Sequence, residues 1–222
     1  MTPIAHIRND LTTKFGAPRQ SGLIPQLEAT IVFEPAYRNA EALRGLEGFS
    51  HIWLLWDFSE THQTVWSPTV RPPRLGGNKR MGVFATRSPF RPNPIGLSSV
   101  RLTGIEFSTP EGPVLHIEGA DLMNGTPILD IKPYLPYTDC HPEATAGFAA
   151  EAAQQPLLKV VIPPVLEALF SPRQMEALRE ILASDPRPHY QNDPTRIYNM
   201  VYAEREIHFR VDGQVLSVIL PD

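Results

Sequence analysis

The chain has 222 residues, 42% of them hydrophobic and 20% charged, with a formal net charge of −4, which fits a soluble protein with one large domain and room for a small appendage. The single cysteine, Cys140, excludes an internal disulfide framework and a thiolate-rich metal site, and it favours a cytoplasmic protein. The longest fully apolar run, residues 52–56, is too short to cross a membrane, and no signal-peptide core precedes it.

The first quarter of the chain has the alternation that is typical of half-buried β-strands. We predict strands over residues 4–8 and 27–33 and a central strand over residues 49–58, and we expect Asn39 to cap a short helix that runs through Leu46. The connection over residues 10–25 contains Gly16, Pro18 and Gly22. It can close over a ligand, or it can be an ordinary irregular loop.

Residues 61–105 form a basic segment inside an acidic chain. They include no Asp or Glu but seven Lys and Arg residues, so the remainder carries a net charge of −11, with 13 basic and 24 acidic residues. Within the segment, residues 87–94 hold three prolines, two arginines and Asn93, which predicts a stiff extended loop rather than a strand or helix. The composition favours an anionic partner, unless these arginines pair with acids elsewhere in the fold.

Further strands and a tight turn follow the stiff loop. We predict strands over residues 97–107 and 114–122, and Asn124-Gly125 indicates a turn between apolar runs. Asp130 and Lys132 lie two residues apart, so in an extended segment they share one face. They can form a structural ion pair, or they can handle a proton; the spacing does not decide.

The remainder divides into a linker and a small α+β domain. Residues 1–140 form the first domain, residues 141–155 are rich in Ala, Glu and Gln and read as a linker, and residues 156–222 form the second domain. Ser171, Pro172 and Gln174 have the spacing of a capping box that opens a helix. Two strands, around residues 207–211 and 215–220, close the chain.

The common signatures of enzyme sites are absent from the sequence. It contains no G-x-G-x-x-G dinucleotide fingerprint, no Walker A lysine, no H-E-x-x-H and no G-x-S-x-G. The residues alone therefore predict a mainly β domain with a basic loop, and they do not identify a reaction.

Several long and unusual motifs resemble the TsaA-like family of tRNA methyltransferases, also called TrmO. They are residues 49–53, 72–78, 81–98 and 124–134, together with residues 185–188 and Tyr190. The resemblance implies an S-adenosylmethionine-dependent enzyme that methylates N6 of threonylcarbamoyladenosine beside the anticodon of threonine-type tRNA. It also implies a single-sheet β-barrel rather than a Rossmann-like methyltransferase domain, a small C-terminal domain, and a homodimer. A non-catalytic sensor of S-adenosylmethionine or RNA, and a methyltransferase of small molecules, remain as alternatives.

Carried over by position, the resemblance also implies site residues. The cofactor contacts fall on Pro18, Arg19, Gln20, Ser59, Glu60, Arg87, Leu97, Asn124, Gly125, Thr126 and Pro127. The family often has histidine in place of Ser59 and aspartate in place of Asn124. As groups that handle the proton we predict Asp130, Lys132 and Tyr134, and as tRNA contacts Arg74, Lys79, Arg80, Arg91, Asn93, Arg187 and Tyr190.

Overall fold

A computed structural model describes residues 1–62, 65–72, 79–152, 156–187 and 193–220. Within these ranges the strands are β1 (Ala5–Asn9), β2 (Glu28–Phe33), β3 (His51–Asp57), β4 (Thr69–Val70), β5 (Met81–Gly82), β6 (Ile95–Glu106), β7 (Val114–Glu118), β8 (Pro127–Pro133), β9 (Lys159–Val161), β10 (Tyr198–Tyr202), β11 (Arg205–Asp212) and β12 (Val215–Ile219). The α-helices there are α1 (Pro136–Asp139), α2 (Ala149–Ala152), α3 (Pro164–Glu167) and α4 (Pro172–Ala183).

Six strands form a closed barrel in the order β1-β2-β7-β6-β3-β8, which confirms the predicted mainly β fold with a single-sheet barrel. Closure occurs where β1 pairs with β8, with Ala5 opposite Ile128. The interior is filled by side chains, as expected for a barrel of this size. On β3, Ile52, Leu54 and Trp56 are buried, while the residues between them face outward.

The long strand β6 pairs with two different strands along its length. Its first half pairs with β3 and its second half with β7, with an irregularity between Leu102 and Gly104. One residue early in β6 has no room for a side chain, because a Cβ atom at Gly96 would lie 2.1 Å from the Trp56 ring. The indole of Trp56 therefore packs flat on the backbone of the neighbouring strand.

The second body is a four-stranded sheet covered by α4. Its order is β10-β11-β12-β9, and β9 runs parallel to β12. The predicted capping box opens α4: the Ser171 hydroxyl accepts from the Gln174 amide, and the Gln174 side chain accepts from the Ser171 amide. Met175, Leu178 and Leu182 of α4 are buried against the sheet.

The second core includes residues from the far end of the sequence. Leu11, Ile24 and Leu27, in the connection between β1 and β2, are almost completely buried among residues of α4 and the second sheet, with Phe15 and Ala17 packed around them. Burying a large aliphatic side chain contributes roughly 1.5–3 kcal/mol each. The connection is therefore part of the second body and is held firmly in place.

Three local predictions differ from the structure. The helix expected from Asn39 through Leu46 is a 3-10 turn over Ala40–Leu43, although Asn39 does cap it. The strand predicted over residues 114–122 ends at Glu118, because Gly119 has a φ of 78° and leaves the extended conformation. The second sheet has β9 and β10 in addition to the two predicted strands: β10 forms a hairpin with β11, and the short β9 pairs with the sequence-distant β12. Among the described residues, no helix is long and apolar enough to span a membrane.

The burial of Leu11 can be tested by truncation. Leu11→Ala removes a fully buried side chain from the second core, and we expect the free energy of unfolding to fall by about 2–5 kcal/mol. Leu23→Ala is the matched control, because Leu23 lies in the same connection but is 53% exposed. Urea unfolding followed by circular dichroism measures both variants. Equal unfolding midpoints for the two would contradict the shared core.

Candidate functional site

The strand register brings several connections to one end of the barrel. The last residue of β3, Asp57, pairs with the first of β6, Ile95, and Trp56 pairs with Ile128 near the start of β8. The end of β1 lies there as well, because Ile7 donates to the carbonyl of Thr126. We call this the loop end of the barrel: it comprises residues 10–27, 58–62, 83–97 and 119–127. The predicted cofactor residues all lie within these ranges: Pro18, Arg19, Gln20, Ser59, Glu60, Arg87, Leu97, Asn124, Gly125, Thr126 and Pro127.

The connection after β1 reaches the stiff basic loop through Gln20. The Arg87 guanidinium donates to the Gln20 side-chain oxygen, which links residues that are 67 positions apart in the sequence. The neighbouring Arg19 points to the second body, where it donates to the carbonyl oxygens of Asp185 and Arg187 at 3.4 Å. Pro18, Arg19 and Gln20 are all half-buried. Residues 18–20 therefore form the junction between the second body and the barrel loops.

Ser59 and Glu60 lie in a 3-10 turn, Ser59–Thr61, directly after β3, and both are exposed. The turn is fixed beside the stiff basic loop, because the Phe58 amide donates to the Pro94 carbonyl at 2.9 Å. At its other side, His62 contacts the Asp57 carboxylate at 2.7 Å.

Residues 124–127 are held against β1 by backbone hydrogen bonds. The Asn124 amide donates to the Leu11 carbonyl at 2.7 Å, and the Gly125 amide donates to the Ile7 carbonyl at 2.8 Å. Gly125 has a φ of 81°, which favours glycine in this turn. The Asn124 side-chain oxygen accepts from the Asn9 amide at 3.2 Å, a bond that an aspartate in that position can also make. The difference from the family pattern at Asn124 therefore leaves the turn itself intact.

A half-buried carboxylate at the loop end, Asp121, was not among the site residues predicted from the sequence. A hydrogen-bonded chain leads to it from the barrel core: the Trp56 indole donates to Ser98 at 3.0 Å, and the Ser98 hydroxyl donates to Asp121 at 2.6 Å. The connection before β2 reaches the same segment, because the Gly22 amide donates to the Gly119 carbonyl at 2.8 Å. Burial raises the pKa of Asp121, and the Ser98 hydrogen bond and the charge of Arg87 oppose that rise. The available signal was an acidic residue at an apolar strand end, three residues before Asn124.

The predicted proton-handling residues lie elsewhere on the barrel. Asp130 and Lys132 share the outer face of β8, as predicted, with 2.9 Å between the carboxylate and the ammonium group. The Tyr134 amide donates to the carbonyl of His51, the first residue of β3. His51 and Asp57 are the two ends of this strand, so Tyr134 lies about 20 Å from the loop end, the length of six residue steps along a strand. The Tyr134 ring packs on Trp53, with the centroids 5.5 Å apart. Within one chain Tyr134 is therefore far from the loop end, whereas Asp130 lies in the same cross-strand row as Leu97, with Leu55 of β3 between them.

The predicted tRNA contacts divide into two groups. Lys79, Arg80 and Asn93 are exposed, and Arg91 is half-buried with its guanidinium bound to the Thr86 carbonyl at 2.8 Å. Arg187, by contrast, is 8% exposed and pairs with Asp185 at 2.8 Å, so its charge is compensated inside the second body. Arg74 and Tyr190 lie outside the described residues.

An exposed aromatic pair lies at the base of the β4–β5 ribbon. Trp66 precedes β4, Phe84 follows β5, and their rings stack with centroids 6.1 Å apart. They are 47% and 72% exposed. The ribbon also carries Lys79 and Arg80 next to β5, so this surface combines aromatic faces with positive charge.

The chain matches two family models, and together they span most of its length. The first, described as the tRNA-methyltransferase O N-terminal domain, matches residues 6–140, and the second, the TrmO C-terminal domain, matches residues 140–220.

Several named proteins and solved structures are similar to this chain over most of its length. A tRNA (adenine(37)-N6)-methyltransferase of Escherichia coli K12 is 44% identical over 193 residues, which cover 85% of this chain and 82% of that protein. A Pseudomonas aeruginosa protein, RcsF, whose name includes the words "S-adenosylmethionine-dependent methyltransferase", is 38% identical over 225 residues, with 94% and 91% covered. The crystal structure of TrmO from Pseudomonas aeruginosa superposes with a TM-score of 0.76 at 34% identity, covering 99% of this chain and 98% of that one.

Proposed function

The chain belongs to the tRNA-methyltransferase O family, and from that premise we propose that it transfers a methyl group from S-adenosylmethionine to N6 of adenosine 37 in tRNA. The acceptor is the threonylcarbamoyl form of that adenosine in threonine-type tRNA. The main structural support is the convergence of four connections at the loop end of the barrel, where all the predicted cofactor residues lie.

The loop end has groups that fit S-adenosylmethionine. The exposed Arg87 guanidinium suits a carboxylate, because its planar donors match the geometry of that group. Gln20 holds Arg87 through a hydrogen bond, and residues 59–60 and 124–127 supply further polar groups around it. When bound, the cofactor supplies an electrophilic methyl group on a positively charged sulfur. The protein residues bind and orient the cofactor, because holding two reactants in the correct geometry supplies much of the rate acceleration.

Methylation of a nitrogen that carries hydrogen releases a proton. A nitrogen–carbon bond forms, the sulfur–methyl bond breaks, and the nitrogen–hydrogen bond gives up its proton to a base or to water. Asp130, Lys132 and Tyr134 remain the predicted groups for this step. Because they lie on the outer face of one chain's β8, their participation requires either a tRNA that covers this face or a second subunit that brings it to a neighbouring site.

We propose a homodimer that uses the outer face of β3, β6 and β8. Leu97 is 54% exposed on this face and pairs across the strands with Leu55, and Trp53 lies beside them with its outer surface half-buried. Apolar side chains grouped on the outside of a barrel are typical of protein interfaces. Such an interface would place Leu97, a predicted cofactor residue, next to a partner subunit. The single cysteine and the tRNA substrate support a cytoplasmic location.

The tRNA surface is proposed to run along the basic segment. Lys79, Arg80 and Asn93 face outward from a segment without acidic residues, so phosphate groups are attracted there. Trp66 and Phe84 provide exposed ring faces on which unpaired bases of the anticodon loop can stack.

The reaction itself is tested with tritium-labelled S-adenosylmethionine. The purified protein is incubated with threonine tRNA that carries or lacks the threonylcarbamoyl group, and we expect label only on the modified tRNA. Equal label on both tRNAs, or none on either, would contradict the proposed substrate. Binding of the cofactor without methyl transfer would indicate a non-catalytic sensor. Label on a small molecule in a tRNA-free extract would indicate a methyltransferase of small molecules.

Substitution of Arg87 tests the cofactor site. We expect Arg87→Ala to weaken S-adenosylmethionine binding by about tenfold to a hundredfold, since a charged hydrogen bond contributes roughly 1.5–3 kcal/mol. Isothermal titration calorimetry measures the dissociation constant. Arg101→Ala is the control, because Arg101 lies in the same basic segment but pairs with Glu118 on the barrel wall. Unchanged affinity in Arg87→Ala would remove Arg87 from the site.

Substitution of Phe84 tests the tRNA surface. We expect Phe84→Ala to weaken tRNA binding by about 5-fold to 100-fold, because stacking of one base contributes roughly 1–3 kcal/mol, and to leave cofactor affinity unchanged. Fluorescence anisotropy of end-labelled tRNA gives the affinity. Phe107→Ala serves for comparison, since Phe107 is 46% exposed beyond the opposite end of β6. If both variants bind tRNA like the wild type, the aromatic pair has no part in recognition.

A further inference from the structure

Asp121 is a carboxylate with a hydrogen-bond donor but without a direct ion-pair partner. The Ser98 hydroxyl donates to it at 2.6 Å, and in the described part of the chain it forms no ion pair. The residue is half-buried at the point where residues 10–27, β6 and the connection before β8 meet. Burial of a charged carboxylate is unfavourable unless a positive group compensates it. The raised pKa of Asp121 reflects this missing compensation.

Arg87 belongs to the same part of the loop end as Asp121, because its partner Gln20 lies two residues before Gly22, whose amide donates to the Gly119 carbonyl at 2.8 Å. The charge of Arg87 lowers the pKa of Asp121, yet its guanidinium donates to the Gln20 side chain, and Arg87 and Asp121 form no ion pair. A guanidinium and a carboxylate that are close together usually pair directly, because the bidentate geometry is favourable. Here each has its own partner, Gln20 for Arg87 and Ser98 for Asp121. The loop end thus presents one positive and one negative group that are not paired with each other.

An α-amino acid has the complementary arrangement, with a carboxylate and an ammonium group on one carbon atom. We infer that Asp121 binds the α-ammonium group of the methionine part of the cofactor, while Arg87 binds its carboxylate. This inference rests on the proposed function, which supplies a ligand with such an end. Asp121 is then a binding residue that selects nucleosides carrying an amino-acid group, and the Trp56–Ser98 chain fixes its orientation from the barrel core.

A purely structural role for Asp121 makes a different prediction. The Ser98–Asp121 hydrogen bond also anchors the connection after β7 to β6, so loss of Asp121 could disturb the whole loop end. In that case every ligand of the site would bind more weakly. If Asp121 instead recognises the ammonium group, only ligands that carry this group are affected.

Two ligands separate these roles by calorimetry on the full chain. S-adenosylhomocysteine has the amino-acid end and an uncharged sulfur, whereas 5′-methylthioadenosine shares the nucleoside and the sulfur but lacks the amino-acid end. We expect Asp121→Asn to weaken binding of S-adenosylhomocysteine by about tenfold or more, in line with loss of a charged partner, and to leave 5′-methylthioadenosine unchanged. The substitution keeps the side-chain shape and an acceptor for Ser98.

Control variants are titrated with the same two ligands. Glu111→Gln alters a carboxylate that pairs with Arg8 away from the loop end, and it should change neither affinity. If Asp121→Asn does not fold, Ser98→Ala keeps the carboxylate but removes its orienting donor, and it should weaken only S-adenosylhomocysteine. Equal loss for both ligands, or no loss for either, overturns the inference. Failure of the wild type to bind either nucleoside would overturn the proposed function and this inference with it.

Discussion

The fold depends on one connection that belongs to two bodies. Residues 10–27 leave the barrel after β1 and return to it at β2, but Leu11, Ile24 and Leu27 are buried in the core of the second body. The same segment carries Gln20, which bonds Arg87, and Gly22, whose amide bonds the Gly119 carbonyl two residues before Asp121. Hydrophobic burial in one body therefore fixes polar groups at the end of the other. A free surface loop of this length would have to lose its conformational entropy on binding, whereas here folding has already ordered it.

The proposed nucleoside site is built without a Rossmann sheet. In doubly wound folds, the carboxyl ends of parallel strands and a glycine-rich turn create the site. In the present barrel the strands are antiparallel, so the residues come from connections that alternately leave and enter the same end. The absence of a glycine fingerprint fits this arrangement, because that fingerprint belongs to a strand-to-helix turn and the connections at the loop end join strand to strand. The polar groups are instead held by side-chain and backbone partners from different strands.

Local patterns predicted the elements well and their long-range partners less well. The barrel strands and the capping box at Ser171 could be predicted because alternation and cap spacing are local properties. Sequence alone could not show that Leu11 belongs to a core completed by Leu216, since nothing local distinguishes that core from the barrel. The proposed role of Asp121 could not be predicted for a similar reason, because it depends on Ser98 and Arg87, which are distant in sequence and come into the same region only after folding. Arg187 matched a family motif, yet its charge is used inside the second body.

The pairing of β9 with β12 has a consequence for the order in which the protein can be assembled. All six barrel strands have been synthesised once Pro133 is added, so the barrel can close while the rest of the chain is still being made. The second core cannot, because it joins Leu11, near the start, to Leu216, near the end, and β9 needs β12 as its neighbour. During translation Leu11, Ile24 and Leu27 therefore stay exposed on a folded barrel until the final strand arrives. Residues 10–27, which carry Gln20, therefore reach their final position only when the second core is complete.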